Sequence, residues 1–126
     1  MLEKRKKAFD ERVLRDLGRA FPNPDPENHR YVVEKDRYSF YLYDSRPRED
    51  GSGGWTKVPV AKFSYLEMEH LWQLSFMPPQ GRWQKYGRYF DLDTAVLILK
   101  SDPAGCFMGE ASPMAYLNRG GGEKAG

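Results

Sequence analysis

Five short runs of residues between positions 30 and 89 alternate large aromatic or β-branched side chains with smaller or polar ones. A period of two is typical of a half-buried β-strand, because its successive side chains point to opposite faces of the sheet. Each run is closed by a turn signal, so neighbouring runs are expected to pair antiparallel. The predicted strands are Arg30–Val33, Tyr38–Tyr43, Val58–Tyr65, Leu71–Phe76 and Arg82–Tyr86.

An amphipathic helix is predicted before the sheet. Apolar residues recur at intervals of four from Phe9 to Phe21, which places one apolar stripe along a helix from about Glu3 to Ala20. Pro22 ends this helix, and the proline-rich segment after it forces an extended connection. The apolar stripe therefore has one face of the sheet as its packing partner.

A second helix follows the sheet. Asp91 is a suitable N-cap, and the apolar stripe of Leu92, Ala95, Val96 and Leu99 follows it. Parity also places three residues of the fourth strand on one face, where they are expected to contact both helices. Those residues are Trp72, Leu74 and Phe76.

The whole pattern predicts one α+β domain. Its expected order is an N-terminal helix, an antiparallel sheet of about five strands, a second helix and a short terminal strand, with the helices on one face. The terminal strand falls on residues 106–108, which either add a last strand or plug the core. The domain is predicted to cover residues 1–109, with residues 110–126 as a C-terminal extension that is flexible at its end.

Composition and charge narrow the class of protein. A chain of 126 residues with 40% hydrophobic residues is long enough for one core. Its longest apolar run, Ala95–Leu99, falls far short of the roughly 20 residues that cross a bilayer, so no membrane association and a cytoplasmic location are predicted. The net charge is only +2, although residues 1–20 hold seven basic side chains against four acidic ones, an excess of three.

Residue types that commonly carry catalysis are few. His29 and His70 stand in a connection and a turn, where surface histidine is the simpler interpretation, and Cys106 lies in an apolar run that favours a buried, inert thiol. Glu67, Glu69 and His70 lack the spacing of a zinc site. The sequence therefore predicts no catalytic residue, no metal and no cofactor.

Basic and aromatic residues together form the more informative pattern. They border the glycine-rich loop after the second strand and recur along the third and fifth strands. Sheets that bind single-stranded nucleic acid combine stacking aromatics with cations in this way. The alternative is that the aromatics belong to the core and the cations line the open face; parity already separates Tyr86 from Trp83. The candidate binding residues are Arg46, Arg48, Lys57, Lys62, Trp83, Lys85, Tyr86 and Arg88.

Several separated motifs in the stretch from Arg30 to Gly109 resemble an uncharacterised bacterial family, domain of unknown function 3024. The resemblance implies this fold without implying an activity. The motifs are the early Tyr31, the pair Arg46-Pro47, the strand Val60-Ala61-Lys62, the paired Trp72 and Trp83 with Tyr86, and the closing Gly105-Cys106-Phe107-Met108-Gly109.

Three functions are compatible with these observations. We favour a small non-enzymatic binding or regulatory module that docks on an unknown protein partner through its open sheet face or its basic helix. The first alternative is a protein that binds single-stranded RNA or DNA with the basic and aromatic face. The second is a metal-independent ribonuclease that works through arginine, lysine, histidine and tyrosine.

Overall fold

Two helices pack on one face of a five-stranded antiparallel sheet in a computed structural model that describes residues 2–108. The strands pair in chain order as a meander, β1-β2-β3-β4-β5, which confirms the predicted α+β class. The elements are α1 (Glu3–Ala20), β1 (Arg30–Asp36), β2 (Ser39–Ser45), β3 (Val58–Leu66), β4 (Leu71–Phe76), β5 (Gln84–Tyr89) and α2 (Leu92–Ser101).

Helix α1 has the predicted bounds and buries the predicted stripe. Val13 and Leu17 are buried, and the ring of Phe9 lies 5.8 Å from the indole of Trp72 between centroids. The central strands supply the other half of the core, since Phe40, Phe63 and Leu74 are side-by-side partners across three strands. Burial of this apolar surface is the main driving force for the fold.

The first hairpin is tighter than predicted. The sequence placed the turn at Glu34–Arg37, but β1 continues to Asp36, which pairs with Ser39. Only Arg37 and Tyr38 remain for the loop, and Arg37 adopts a positive φ of 58°. Asn, Asp or Gly usually fills such a position, so the turn carries no strong sequence signal.

A bulge interrupts the pairing of β2 with β3 beside Pro59. Leu42 pairs with Ala61 and Tyr43 pairs with Pro59, so Val60 is the extra residue. Proline cannot donate a ladder hydrogen bond, which explains why the irregularity lies beside it. Both Val60 and Ala61 are buried in consequence.

The last strand lies later in the chain than predicted. Strand β5 begins at Gln84 and continues to Tyr89, whereas the sequence pattern ended it at Tyr86. Gly87 made the pattern look closed, because glycine is disfavoured inside strands. It is tolerated here because the ring of Tyr89 folds back over it: a Cβ built on Gly87 would lie 2.6 Å from the hydroxyl oxygen of Tyr89.

Helix α2 begins as predicted. The Asp91 side chain accepts a hydrogen bond from the backbone N–H of Thr94 at 2.7 Å, and Asp102 ends the helix with a φ of 45°. The Asp102 carboxylate then accepts from the backbone N–H groups of Phe107 and Met108 at 3.0 and 2.7 Å.

Residues 106–108 form no strand, so the expected terminal strand is absent there. Phe107 is instead fully buried and plugs the core, which was the second role predicted for this segment. The predicted C-terminal extension at residues 110–126 lies outside the described residues.

Candidate functional site

One face of the sheet has no helix on it within residues 2–108, and we call it the open face. The residues of the open face alternate with the core residues along each strand, because successive side chains of a strand point to opposite sides of the sheet. Tyr41 pairs with Lys62, Lys62 with Ser75 and Ser75 with Lys85, so one row of the open face crosses from β2 to β5. The same parity places Arg30, Glu34, Tyr43 and Arg88 on this face.

Three cations of the open face lie over three aromatic rings, an arrangement that we call the cation–π ladder. A cation within about 6 Å of a ring centroid is attracted by the negative face of the ring. Each cation therefore covers one face of its ring and restrains the ring's orientation. The pairs are Arg30 Cζ over Trp55 at 4.0 Å, Lys57 Nζ over Tyr43 at 4.8 Å and Lys62 Nζ over Tyr41 at 5.4 Å.

Trp83 extends the aromatic surface across the sheet. Its indole lies 5.7 Å from the ring of Tyr41 between centroids, although it precedes β5 and Tyr41 belongs to β2. Three strand spacings, about 14 Å, separate those strands, so the segment around Trp83 folds over the open face. Ser75, which lies on that side of β4, is only 4% exposed.

Carboxylates neutralise part of the positive charge. Lys57 Nζ lies 2.5 Å from Glu34 Oε2, and this hydrogen bond raises the pKa of Lys57. Arg88 donates to the Gln73 amide oxygen at 3.3 Å and lies 3.7 Å from Glu69.

Lys62 and Lys85 have no carboxylate partner among residues 2–108. The open face consequently keeps an excess of positive charge around the Trp83 indole.

The structure divides the eight predicted binding residues between two faces and a loop. Tyr86 lies on the core face, where its ring is 5.1 Å from that of Phe107, as its parity predicted. Arg46 is held by a carboxylate on the helix side of the sheet, and the Arg48 side chain lies over Gly54 within the loop. The open face carries the other five: Lys57, Lys62, Trp83, Lys85 and Arg88.

Four contributors to the open face are missing from the predicted set. Tyr41 and Tyr43 could have been included, because their parity is opposite to that of Phe40 within the same predicted strand. Arg30 and Trp55 gave no such signal. Trp55 follows a glycine-rich loop, and its pairing with Pro47 extends the β2–β3 hairpin beyond any alternating run.

A comparison with protein families decides the classification. The model of domain of unknown function 3024 (DUF3024) matches residues 2–109. The chain belongs to the DUF3024 family. Comparison with curated proteins and with solved structures gives no match. Within residues 2–108 of this DUF3024 domain, no helix has the length and apolar character needed to span a membrane.

The groups considered for catalysis in this DUF3024 domain differ in their surroundings. His70 is exposed in a turn, as expected, whereas the interpretation of His29 as a plain surface histidine was wrong: its Nε2 hydrogen-bonds the buried carboxylate of Asp44. Burial raises the pKa of the Cys106 thiol, and Asp102 adds to the effect. No cluster of three metal-ligating side chains occurs within residues 2–108.

Proposed function

We propose that this domain is a non-enzymatic binding module that docks its open face on an acidic surface of a partner protein. The observation that carries the proposal is the cation–π ladder together with Trp83, on a sheet face that neither described helix covers. The proposed setting is the cytoplasm, as expected from the sequence. The absence of a catalytic residue remains a prediction.

The residue types of the open face favour a protein interface. Tyrosine, tryptophan and arginine are the residues that most often dominate binding energy between proteins. Tyr41 is contacted by both Lys62 and Trp83, so its ring is already restrained before a partner arrives. Restraint of this kind lowers the entropy lost on binding.

The charge of the open face favours an acidic partner. Lys62 lies over Tyr41, and Tyr41 contacts Trp83. Lys85 lies in the same row of the open face as Lys62. Neither lysine has a carboxylate partner within the described part of the chain. Positive side chains at the rim of an interface attract a negative partner and speed its association.

The basic helix is the weaker candidate surface. Its Lys6 is bound to the buried carboxylate of Asp10 at 2.6 Å, and Lys35 of β1 approaches the same carboxylate at 3.2 Å. Lys6 also donates to the backbone oxygen of Arg37. Part of the charge predicted for partner contact therefore stabilises the helix against the sheet.

Single-stranded nucleic acid fits the open face less well. Base stacking needs a free ring face, and the ladder leaves at most one face of each of its rings for a base. The carboxylate of Glu34 beside Lys57 would also repel a phosphate backbone.

The test replaces Ser64, which pairs with Gln73 on the open face, by a photo-crosslinking amino acid in the native cell to identify the partner. The purified partner is then titrated with the Lys62→Glu and Trp83→Ala variants of the domain, and the affinity of each variant is compared with that of the unaltered domain. Matched controls are Lys4→Glu on α1 and Phe90→Ala, whose side chain is 89% exposed. We expect each open-face variant to weaken binding about tenfold or more and each control to leave it unchanged.

Equal losses in the controls would overturn the proposal. A second arm measures binding of a 20-nucleotide single-stranded RNA at about 50 and 200 mM salt. RNA binding that weakens steeply with salt and that Lys62→Glu abolishes would show that the open face binds nucleic acid instead of a protein.

A further inference from the structure

A buried carboxylate organises two basic side chains on the helix side of the sheet, opposite to the open face. The Asp44 side chain, near the end of β2, is 0% exposed. It accepts a hydrogen bond from His29 Nε2 and another from Arg46 Nε at 3.0 Å. A carboxylate buried this completely requires such partners, because desolvation of an unpaired charge is prohibitive.

The two partners remain partly accessible. The side chains of His29 and Arg46 are 22% and 34% exposed. Within residues 2–108, no side chain or backbone group hydrogen-bonds His29 Nδ1 or the terminal nitrogens of Arg46. Asp44 therefore fixes both groups and leaves the terminal N–H groups of Arg46, together with the Nδ1–H of a protonated His29, for something other than the protein.

Tyr31 adds a third donor to this cluster. It is the side-by-side partner of Asp44 in the β1–β2 ladder, and its ring lies 5.3 Å from the imidazole of His29 between centroids. Burial raises the pKa of the Tyr31 phenol, and the charge of Asp44 raises it further. The hydroxyl therefore keeps its proton and can donate it in a hydrogen bond.

We propose that Arg46, His29 and Tyr31 bind a phosphate group, with Asp44 as the positioning residue. The guanidinium offers parallel N–H donors that match two oxygens of a phosphate. The protonated imidazole and the phenol add donors from other side chains, which suits a tetrahedral anion better than a planar carboxylate. The site lies across the sheet from the open face and is independent of the function proposed for that face.

The charge balance of the cluster depends on His29. The charges of Arg46 and Asp44 offset each other, so a protonated His29 supplies the surplus that attracts an anion. Asp25, whose pKa is lowered chiefly by hydrogen bonds from Asn28 and Glu27 and slightly by His29, is the other acidic group near the imidazole. Donation from His29 Nδ1 to phosphate needs the protonated imidazole, because Nε2 already bonds to Asp44.

The chain contains only two histidines, which provides an internal control for the experiment. The imidazole Cε1–H signals of both histidines are followed by NMR at one fixed pH while sodium phosphate is added, with sodium chloride of equal ionic strength as the reference. We expect phosphate to shift the His29 signal saturably. The His70 signal should stay unchanged.

Two arginine variants test the assignment to Arg46. Arg46→Gln removes the guanidinium that Asp44 holds, whereas Arg48→Gln removes the same charge from the adjoining loop. We expect Arg46→Gln to abolish the phosphate-dependent shift of His29 and Arg48→Gln to retain it. Tyr31→Phe should weaken phosphate binding severalfold, and backbone amide spectra of each variant verify the fold.

Several results would overturn the proposal. Equal shifts of His29 and His70, or equal losses with Arg46→Gln and Arg48→Gln, would reduce the effect to unspecific ion screening. Acetate acting as strongly as phosphate would indicate a carboxylate ligand. Binding of a decanucleotide of single-stranded DNA without any response to inorganic phosphate would assign the donors to a nucleic-acid backbone.

Discussion

The ring of Phe9 on α1 lies nearly parallel to the indole of Trp72 on β4, with an interplanar angle of 11° and 5.8 Å between centroids. Tyr65 of β3 approaches both rings, at 5.0 and 5.2 Å. This cluster fixes α1 on the sheet at the level of its second turn. Aromatic pairs of this kind add stability beyond the apolar area that they bury.

Truncation of Trp72 should therefore be severe. We expect Trp72→Ala to lower the free energy of unfolding by about 3–5 kcal/mol, because it removes a buried indole and leaves a cavity under α1. Phe90→Ala removes an aromatic ring that is almost fully exposed and should change stability by no more than about 0.5 kcal/mol. Urea denaturation measures both. A Trp72→Ala protein as stable as Phe90→Ala would contradict the assigned core face.

The sequence was sufficient for the parts of the fold that follow from local periodicity. Phe9, Val13 and Leu17 predicted the bounds and the buried face of α1, and the period of two in residues 71–76 predicted β4 without error. Pro59 limited its own position to a sheet edge or a bulge, because proline has no N–H donor for the ladder, but the sequence left both possibilities open.

Features that depend on contacts distant in sequence escaped prediction. Asp44 looked like a polar residue at the end of a strand, and only the fold brings His29 and Arg46 to it. The late start of β5 is accompanied by a contact of Trp83 with Tyr41 on β2, although β3 and β4 lie between these two parts of the sheet. Periodicity carries no information about either contact, which is why the candidate set contained Arg46 as a free cation.

Cys106 should react slowly with thiol reagents. Burial, reinforced by the charge of Asp102, raises the pKa of its thiol, and only the thiolate is nucleophilic. We expect Ellman's reagent at pH 7.5 to modify the native protein more slowly than an unstructured peptide thiol. Asp102→Asn removes the charge while suiting the positive φ, so modification should accelerate. Both proteins should react equally fast in denaturant; a native rate equal to the peptide rate would disprove a shielded thiol.

Alkaline pH should destabilise the domain partly through Tyr31. Because burial raises the pKa of this phenol in the folded protein, the unfolded chain ionises first as the pH rises. The stability that the neutral phenol contributes is complete below about pH 10 and is lost above it. Free energies of unfolding measured from pH 8 to 11 should decline less steeply for Tyr31→Phe than for the unaltered protein. Identical slopes would show that Tyr31 ionises equally in both states.

The contact between Gly87 and Tyr89 makes a sharp test of how β5 tolerates glycine. A Cβ at position 87 would meet the hydroxyl oxygen of Tyr89 at 2.6 Å and its Cζ at 3.0 Å, so Gly87→Ala must displace the ring. We expect this substitution to cost about 1–3 kcal/mol in the unaltered protein. In a Tyr89→Ala background the obstruction is gone, and alanine's lower conformational entropy in the unfolded chain should make Gly87→Ala neutral or stabilising by about 0.5–1 kcal/mol. The double-mutant cycle, measured by urea denaturation, isolates this coupling. Equal costs in both backgrounds would mean that the ring of Tyr89 does not protect the strand at Gly87.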